Sequence, residues 1–258
     1  MPAGRFTDVG RPDTLRRLVG VDQLLLAWYG KNGRDLPWRK TTDPYEILVS
    51  ETMLQQTQAE RVIPRWLAWL ARWPTLDALA AASPADVIRE WQGLGYNRRA
   101  VSLHRAAQVV AAMGWPDDLT KLPGVGPYTA AAIRNQAHGE PVLPVDTNVA
   151  RIQERTGHLF QPGALQALFD LGATVCLARI PRCKVCPLAE CCPSRGRRYA
   201  SARKQSRFEG SFRQRRAALL RLVSAGPQPV VGLDADAVES LSRDGLVVVE
   251  HGLVALPA

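Results

Sequence analysis

From Pro44 to about Gly114 apolar residues return at intervals of three and four, in short stretches broken by proline and glycine. That spacing predicts a succession of short amphipathic helices and almost no strand. Three of the stretches open on a capping residue: Asp43 ahead of Pro44, Thr75, and Ser83 ahead of Pro84. Helical spacing also runs from Asp13 to Gly30 and from Ala130 to Gln136. The pattern changes late in the chain. Phe208 to Ala225 and Asp234 to Arg243 look helical, and Gly245 to Leu256 (GLVVVEHGLVAL) alternates as a hairpin turning at His251-Gly252. The expectation is an all-α core followed by a small α/β appendage, readable either as a winged-helix-like module or as a packing extension of the core.

A chain of 258 residues is long enough for one large domain or two modest ones. Apolar residues at 46% and charged residues at 22% are ordinary globular usage, which excludes bulk disorder. No stretch approaches the roughly 18 apolar residues of a membrane span. The N-terminal MPAGRFTDVGRPD has no apolar run like a signal peptide. A soluble, cytoplasmic chain without a membrane partner is therefore expected. Lysine and arginine outnumber the acids 33 to 24, a net +9, which favours a polyanionic partner without identifying it. Arg195, Arg197, Arg198, Arg203, Arg207, Arg213, Arg215 and Arg216 crowd one stretch, a phosphate-facing strip or a solvated linker.

All five cysteines fall between Cys176 and Cys192, unlike a disulfide framework spread through a secreted fold. Cys176, Cys183, Cys186 and Cys192 are separated by six, two and five residues. Four thiolates in one short loop suit a tetrahedral zinc or a 4Fe-4S cube. Structural zinc sites usually pair their cysteines closely, whereas this run holds a single CxxC, so the spacing favours the cube and leaves zinc open. Cys191 is the spare, one residue from Cys192. Arg179, Arg182 and Lys184 sit between the ligands and would project positive charge from the loop.

The stretch from Leu122 to Thr129 (LPGVGPYT) puts Gly124, Val125 and Gly126 in a tight turn just ahead of a helix N-terminus. Backbone amides there can grip a phosphate, and a plain helix connector is the competing reading.

Several strings now coincide: LPWR (Leu36 to Arg39), DPYEILVSETMLQQTQ (Asp43 to Gln58), WQGLGY (Trp91 to Tyr96), LPGVGPYTAAAI (Leu122 to Ile133), VDTNVARI (Val145 to Ile152), DLGATVC (Asp170 to Cys176) and the cysteine loop. Together they resemble the helix-hairpin-helix DNA glycosylases with an iron-sulfur cluster, and among them the MutY-type adenine glycosylases, over about Leu24 to Pro193. The resemblance implies a two-lobed all-α fold clasping double-stranded DNA that carries a mispaired or damaged base. Its six-helix barrel would span about residues 40–142, and its iron-sulfur lobe about 12–39 with 143–200. Residues 206–258 remain as the appendage. A nucleoid-associated monomer with a 4Fe-4S cofactor on Cys176, Cys183, Cys186 and Cys192 is expected.

Base excision needs an acid that makes the base a leaving group and an anion that stabilises the oxocarbenium-like sugar. By resemblance Glu51 is the general acid; it is expected to open a helix rich in apolar residues (Met53, Leu54), where burial would favour the protonated form. Asp146 is by resemblance the carboxylate facing the anomeric carbon, oriented by Asn148; on spacing alone it reads as the N-cap of a helix from Asn148 to Arg155. Tyr128 stands where endonuclease III-type relatives carry a Schiff-base lysine, which implies hydrolysis without strand cleavage. Gln56 and Tyr96 match positions that wedge into the duplex as the base flips, and Arg39 matches a residue lining the base pocket.

Three local differences accompany the resemblance: Thr147 replaces a frequent glycine, Asn97 a frequent aromatic, and the segment from Phe160 to Asp170 is short. The resemblance implies a Nudix-like domain that reads 8-oxoguanine in typical adenine glycosylases, and the short appendage after the cluster region is expected to stand in its place, which weakens the case for 8-oxoguanine. Adenine opposite 8-oxoguanine or guanine is the expected substrate; mismatched thymine or uracil and damaged pyrimidines are the alternatives. The non-enzymatic rival is an iron-sulfur DNA-binding protein, against which the presence of both Glu51 and Asp146 argues.

Overall fold

A computed structural model describes residues 20–200 and 207–258. The helical expectation over residues 13–19 and the basic residue Arg203 lie outside the described residues. In chain order the helices are α1 (Val21–Asn32), α2 (Pro44–Leu54), α3 (Ala59–Arg72), α4 (Leu76–Ala80), α5 (Pro84–Trp91), α6 (Arg98–Met113), α7 (Pro127–His138), α8 (Thr147–Thr156), α9 (Leu165–Thr174), α10 (Phe212–Ala225) and α11 (Ala235–Arg243). Among the described residues the only strands are β1 (Gln228–Pro229), β2 (Val248–Glu250) and β3 (Leu253–Ala255). No described helix is long and apolar enough to cross a membrane.

The capping residues act as their positions predict. Asp43 accepts from Tyr45 N at 2.7 Å, Thr75 from Ala78 N at 3.1 Å, and Ser83 from Asp86 N at 3.2 Å, so α2, α4 and α5 start where the sequence marks them. One expectation is corrected by the same chemistry. Because Asp43 and Pro44 begin α2, Glu51 lies in its second half and does not open a helix. The helix expected from Phe208 begins at Phe212, because the Ser211 side chain caps it by accepting from Gln214 N.

The described chain divides into two compact units. The first takes the described residues up to Asp35 and from Glu140 to 200. Its core joins Leu25 of α1, Val149 and Ile152 of α8, Leu168 and Leu171 of α9, and Leu188 of the cysteine loop. Asp170 is fully buried on α9 and accepts from Arg34 N and Arg34 Nε, both at 2.8 Å, which ties the end of α1 to α9.

The second unit runs from Leu36 to Gly139 and takes in residues 207–258. Trp69 sits edge-on to Trp73 and Trp91, with ring centroids 4.7 and 5.5 Å away, and Tyr45 Oη donates to Trp73 O at 2.8 Å. The appendage shares a core with this unit: Ile88 of α5 is buried with Leu219, Leu220 and Val223 of α10, Val238 and Leu241 of α11, and Val254 of β3. Its antiparallel sheet has the order β1-β3-β2. Glu250 pairs with Leu253 across a two-residue turn in which His251 (φ 50°) and Gly252 (φ 77°) are both left-handed, the geometry a tight hairpin requires. The appendage is thus winged-helix-like and at the same time packed onto the core.

Candidate functional site

In the second unit Glu51 is buried at 5% exposure, one turn before α2 ends. Gln136 of α7 donates to Glu51 Oε1 at 3.4 Å. The backbone beyond α2 turns through Gln56, an exposed residue held at φ 57°. Tyr96, 47% exposed, is held at φ 48° in the turn between α5 and α6. Left-handed conformations at non-glycine residues persist only where the surroundings impose them.

Arg99 imposes both. It is 9% exposed; Nη1 donates to the carbonyls of Thr52, Met53 and Gln55 at 2.8, 2.9 and 2.6 Å, and Nη2 to Gly95 O at 2.9 Å. Its guanidinium lies 5.1 Å from the Trp91 ring centroid and 5.6 Å from that of Tyr96. Burial lowers its pKa to about 10, which leaves it a cation at neutral pH. The remaining carbonyls of the turn are also bonded: Arg65 donates to Gln92 O, and Arg61 to Gly93 O at 2.7 Å. Gln56 and Tyr96 are therefore joined through one buried arginine.

The hairpin ahead of α7 closes with Val125 N bonding to Leu122 O at 3.1 Å. Gly124 has φ 78°, and a Cβ there would lie 2.7 Å from Ser102 Cβ on α6. Only glycine lets the hairpin approach so closely. Val125 is buried, whereas Gly126 starts α7 without a side-chain cap, unlike α2, α4 and α5. An uncapped first turn presents backbone amides and the positive end of the helix dipole. Tyr128 is half-buried in that turn. Arg39 is half-buried beside Trp38, whose ring meets Trp66 edge-on at 6.1 Å.

In the first unit Asp146 caps α8, as its spacing predicts. Oδ1 accepts from Asn148 N at 2.8 Å and Val149 N at 2.7 Å, while Oδ2 accepts from Asn148 Nδ2 at 2.8 Å. Asn148 is fixed in turn: Arg151 Nη2 donates to Asn148 Oδ1 at 2.8 Å and Gly172 O at 2.9 Å, and Arg151 Nε donates to Cys176 O at 2.9 Å. A Cβ on Gly172 would lie 2.5 Å from Asn148 Cβ, so α9 must carry glycine there. The carboxylate is held rigidly, with a lone pair of Oδ2 left over.

Cys176, Cys183, Cys186 and Cys192 line one hollow together with Ile152, Leu171 and Val175. Cys191 does not line it; its Sγ donates to Leu188 O at 3.4 Å and packs on the apolar core. Burial pushes the Cys186 thiol up to about 11, reinforced by Cys176, Cys192 and Cys183 facing it, and raises Cys192 as well. Neighbouring thiolates need a cationic group to coexist. Arg155 Nη1 donates to Cys176 Sγ at 3.4 Å, and Gly196 N to Cys183 Sγ at 3.3 Å. Among the described residues no set of three or more His, Cys, Asp or Glu is placed to hold a metal ion; the thiols stand around a space instead. Arg179, Arg182, Lys184, Arg195, Arg197 and Arg198 lie on the loop between and beyond these thiols, and all six are exposed.

Arg99, Arg151 and Gly172 are the residues that sequence reasoning missed. Arg99 was hidden by its place in an ordinary basic helix, RRAVSLHR, where it reads as solvated. Gly172 lies in the last turn of α9, still inside the helix and short of its C-cap, where a glycine costs up to about 1 kcal/mol against alanine, and that cost was the available signal of a close approach.

Residues 49–167 match the HhH-GPD superfamily base excision DNA repair protein family. The chain is 41% identical over 272 residues to an adenine DNA glycosylase of Mycolicibacterium smegmatis, covering 86% of this chain and 91% of that relative. A human adenine DNA glycosylase is 39% identical over 212 residues, covering 67% of this chain and 39% of the human protein. Among solved structures, a thermostable thymine-DNA glycosylase superposes with a TM-score of 0.64 at 25% identity, over 70% of this chain and 97% of that one. An endonuclease III–DNA complex gives 0.61 at 19% identity, over 69% and 95%, a likeness of fold. The chain therefore belongs to the HhH-GPD superfamily of base excision DNA repair proteins and, within it, to the adenine DNA glycosylase family.

Proposed function

We propose that this protein is a monofunctional DNA glycosylase that flips adenine out of a duplex, where it is mispaired with 8-oxoguanine or guanine, and hydrolyses its glycosidic bond. The observation that carries the reading is the fixed Asp146 carboxylate: two backbone amides cap its Oδ1, and Asn148 Nδ2, locked by Arg151, adds a third N–H donor on Oδ2 that a cap does not require. Such a preorganised anion stabilises positive charge developing on the sugar at no cost of reorganisation. Glu51, shielded from water, is suited to keep a proton for the departing base. With a tyrosine at position 128, the helix offers no amine for a Schiff base, so water completes the reaction and the strand stays intact.

Gln56 and Tyr96, exposed and rigidly presented, would fill the gap left by the flipped base, and Arg39 would line its pocket. The uncapped turn at Gly124, Val125 and Gly126 suits a DNA phosphate. The four thiols around one hollow fit a 4Fe-4S cube, with Cys192 and not Cys191 as the fourth ligand. When bound, the cluster would neutralise the thiolates and hold the loop, leaving its outer arginines for the DNA backbone. The enzyme would act as a monomer.

The test is Asp146→Asn, whose Oδ1 still caps the amides of Asn148 and Val149 while the charge and the bond from Asn148 Nδ2 are lost. Single-turnover base release is expected to fall about a thousandfold or more, with duplex affinity within about threefold of the parent. An unchanged rate would sink the assignment.

A further inference from the structure

Ser224, at the end of α10, is engaged twice by α5 and the residue that follows it. Its carbonyl accepts from Arg89 Nε at 3.2 Å, and its hydroxyl accepts from Gln92 Nε2 while donating to Leu220 O at 2.7 Å. At the far side of the Tyr96 turn, Arg98 meets Asp244, a carboxylate that Arg216 of α10 also binds. Ile88, 2% exposed, is buried in the appendage core. Both chain segments that flank Gly93–Asn97 are thus anchored to residues 207–258. The two anchors are unequal: Arg98 is 75% exposed and its pair, at 3.4 Å, contributes little alone, so the hold rests on Ser224 and on the packing at Ile88.

We propose that the C-terminal appendage is a brace that sets the position of the Tyr96 turn, and that Ser224 and Ile88 are positioning residues for base release. Arg99 fixes the turn from inside by bonding its carbonyls, and the appendage fixes the end of α5 from which the turn springs. A residue held at φ 48° reverts to a relaxed conformation once its frame loosens. Tyr96 would then swing away from a stacked base pair.

The proposal rests on the reading of Tyr96 as a wedge, and the experiment separates the two. Full-length Ser224→Ala, Ile88→Ala, Tyr96→Ala and the doubles with Tyr96→Ala are compared by hydrogen exchange and by single-turnover base release from a duplex with adenine opposite 8-oxoguanine. Ser224→Ala is expected to speed amide exchange over residues 94–100, where the Leu94, Arg99 and Ala100 amides are bonded across the turn, about three- to tenfold, the worth of one hydrogen bond, and to slow base release by a similar factor. Ile88→Ala does the same through lost packing. In the Tyr96→Ala background neither change slows base release further, whereas a general loss of stability would slow it equally in both backgrounds. Unchanged exchange over 94–100 in both variants, or a rate loss that persists without Tyr96, overturns the brace. Tyr96→Ala with unaltered base release overturns the wedge reading, and the brace as a device for catalysis with it.

Discussion

Replacing Arg99 with lysine keeps the charge and removes the fork. A lysine ammonium has three donors at one point, whereas Arg99 bonds the end of α2 through Nη1 and the Tyr96 turn through Nη2. A lysine that reaches Thr52, Met53 and Gln55 leaves Gly95 O unbonded, together with the longer contacts to Tyr96 O at 3.3 Å, Leu94 O at 3.4 Å and Thr57 Oγ1 at 3.2 Å. One short charged hydrogen bond and three long ones are worth about 2–4 kcal/mol in total. In a protein of this size each kcal/mol moves Tm by about 2–4 °C, so a fall of about 5–15 °C is expected. Thermal denaturation followed by circular dichroism measures it, and Arg243→Lys, at a side chain 72% exposed, serves as the control with a shift near zero. Hydrogen exchange should quicken over residues 52–57 and 94–100 together. A Tm within about 2 °C of the parent, with both segments unchanged, would refute the view that one arginine frames both turns.

Other substitutions probe separate parts of the molecule. Gly172→Ala puts a Cβ 2.5 Å from Asn148 Cβ and must push Asn148 off Asp146; base release is expected to drop about tenfold or more while the cysteine loop stays intact, read by single-turnover kinetics and visible absorbance. Cys191→Ser should leave iron content and visible absorbance unchanged, because Cys191 stands outside the hollow that the other four thiols line, whereas Cys192→Ser should lower both. Equal effects of the two serine variants would contradict the ligand set.

The helical core was legible because its signals are local. Asp43, Thr75 and Ser83 announce helix starts whatever surrounds them, and Asp146 reads as a cap from spacing alone. The cysteine spacing marked a ligand loop but left Cys191 and Cys192 one residue apart; only the fold turns one thiol into the hollow and the other away. Arg99 and Arg151 were not legible, because their partners are mostly backbone carbonyls, which carry no side-chain signature. For Arg99 those carbonyls lie up to 47 residues away in sequence. The role of the C-terminal residues escaped for a related reason: Ile88 looks like any apolar residue of an amphipathic helix until the helices it packs against are seen.

The protein is expected to hydrolyse adenine from duplex DNA without cutting the strand. The purified protein should be incubated with duplexes carrying adenine opposite 8-oxoguanine, adenine opposite guanine, thymine opposite guanine, uracil opposite guanine, and thymine glycol, and each sample divided before treatment with hot alkali. Breaks are expected at adenine in the first two duplexes, and only after alkali. Breaks without alkali would contradict the inference from Tyr128, and release of thymine, uracil or thymine glycol in place of adenine would contradict the substrate.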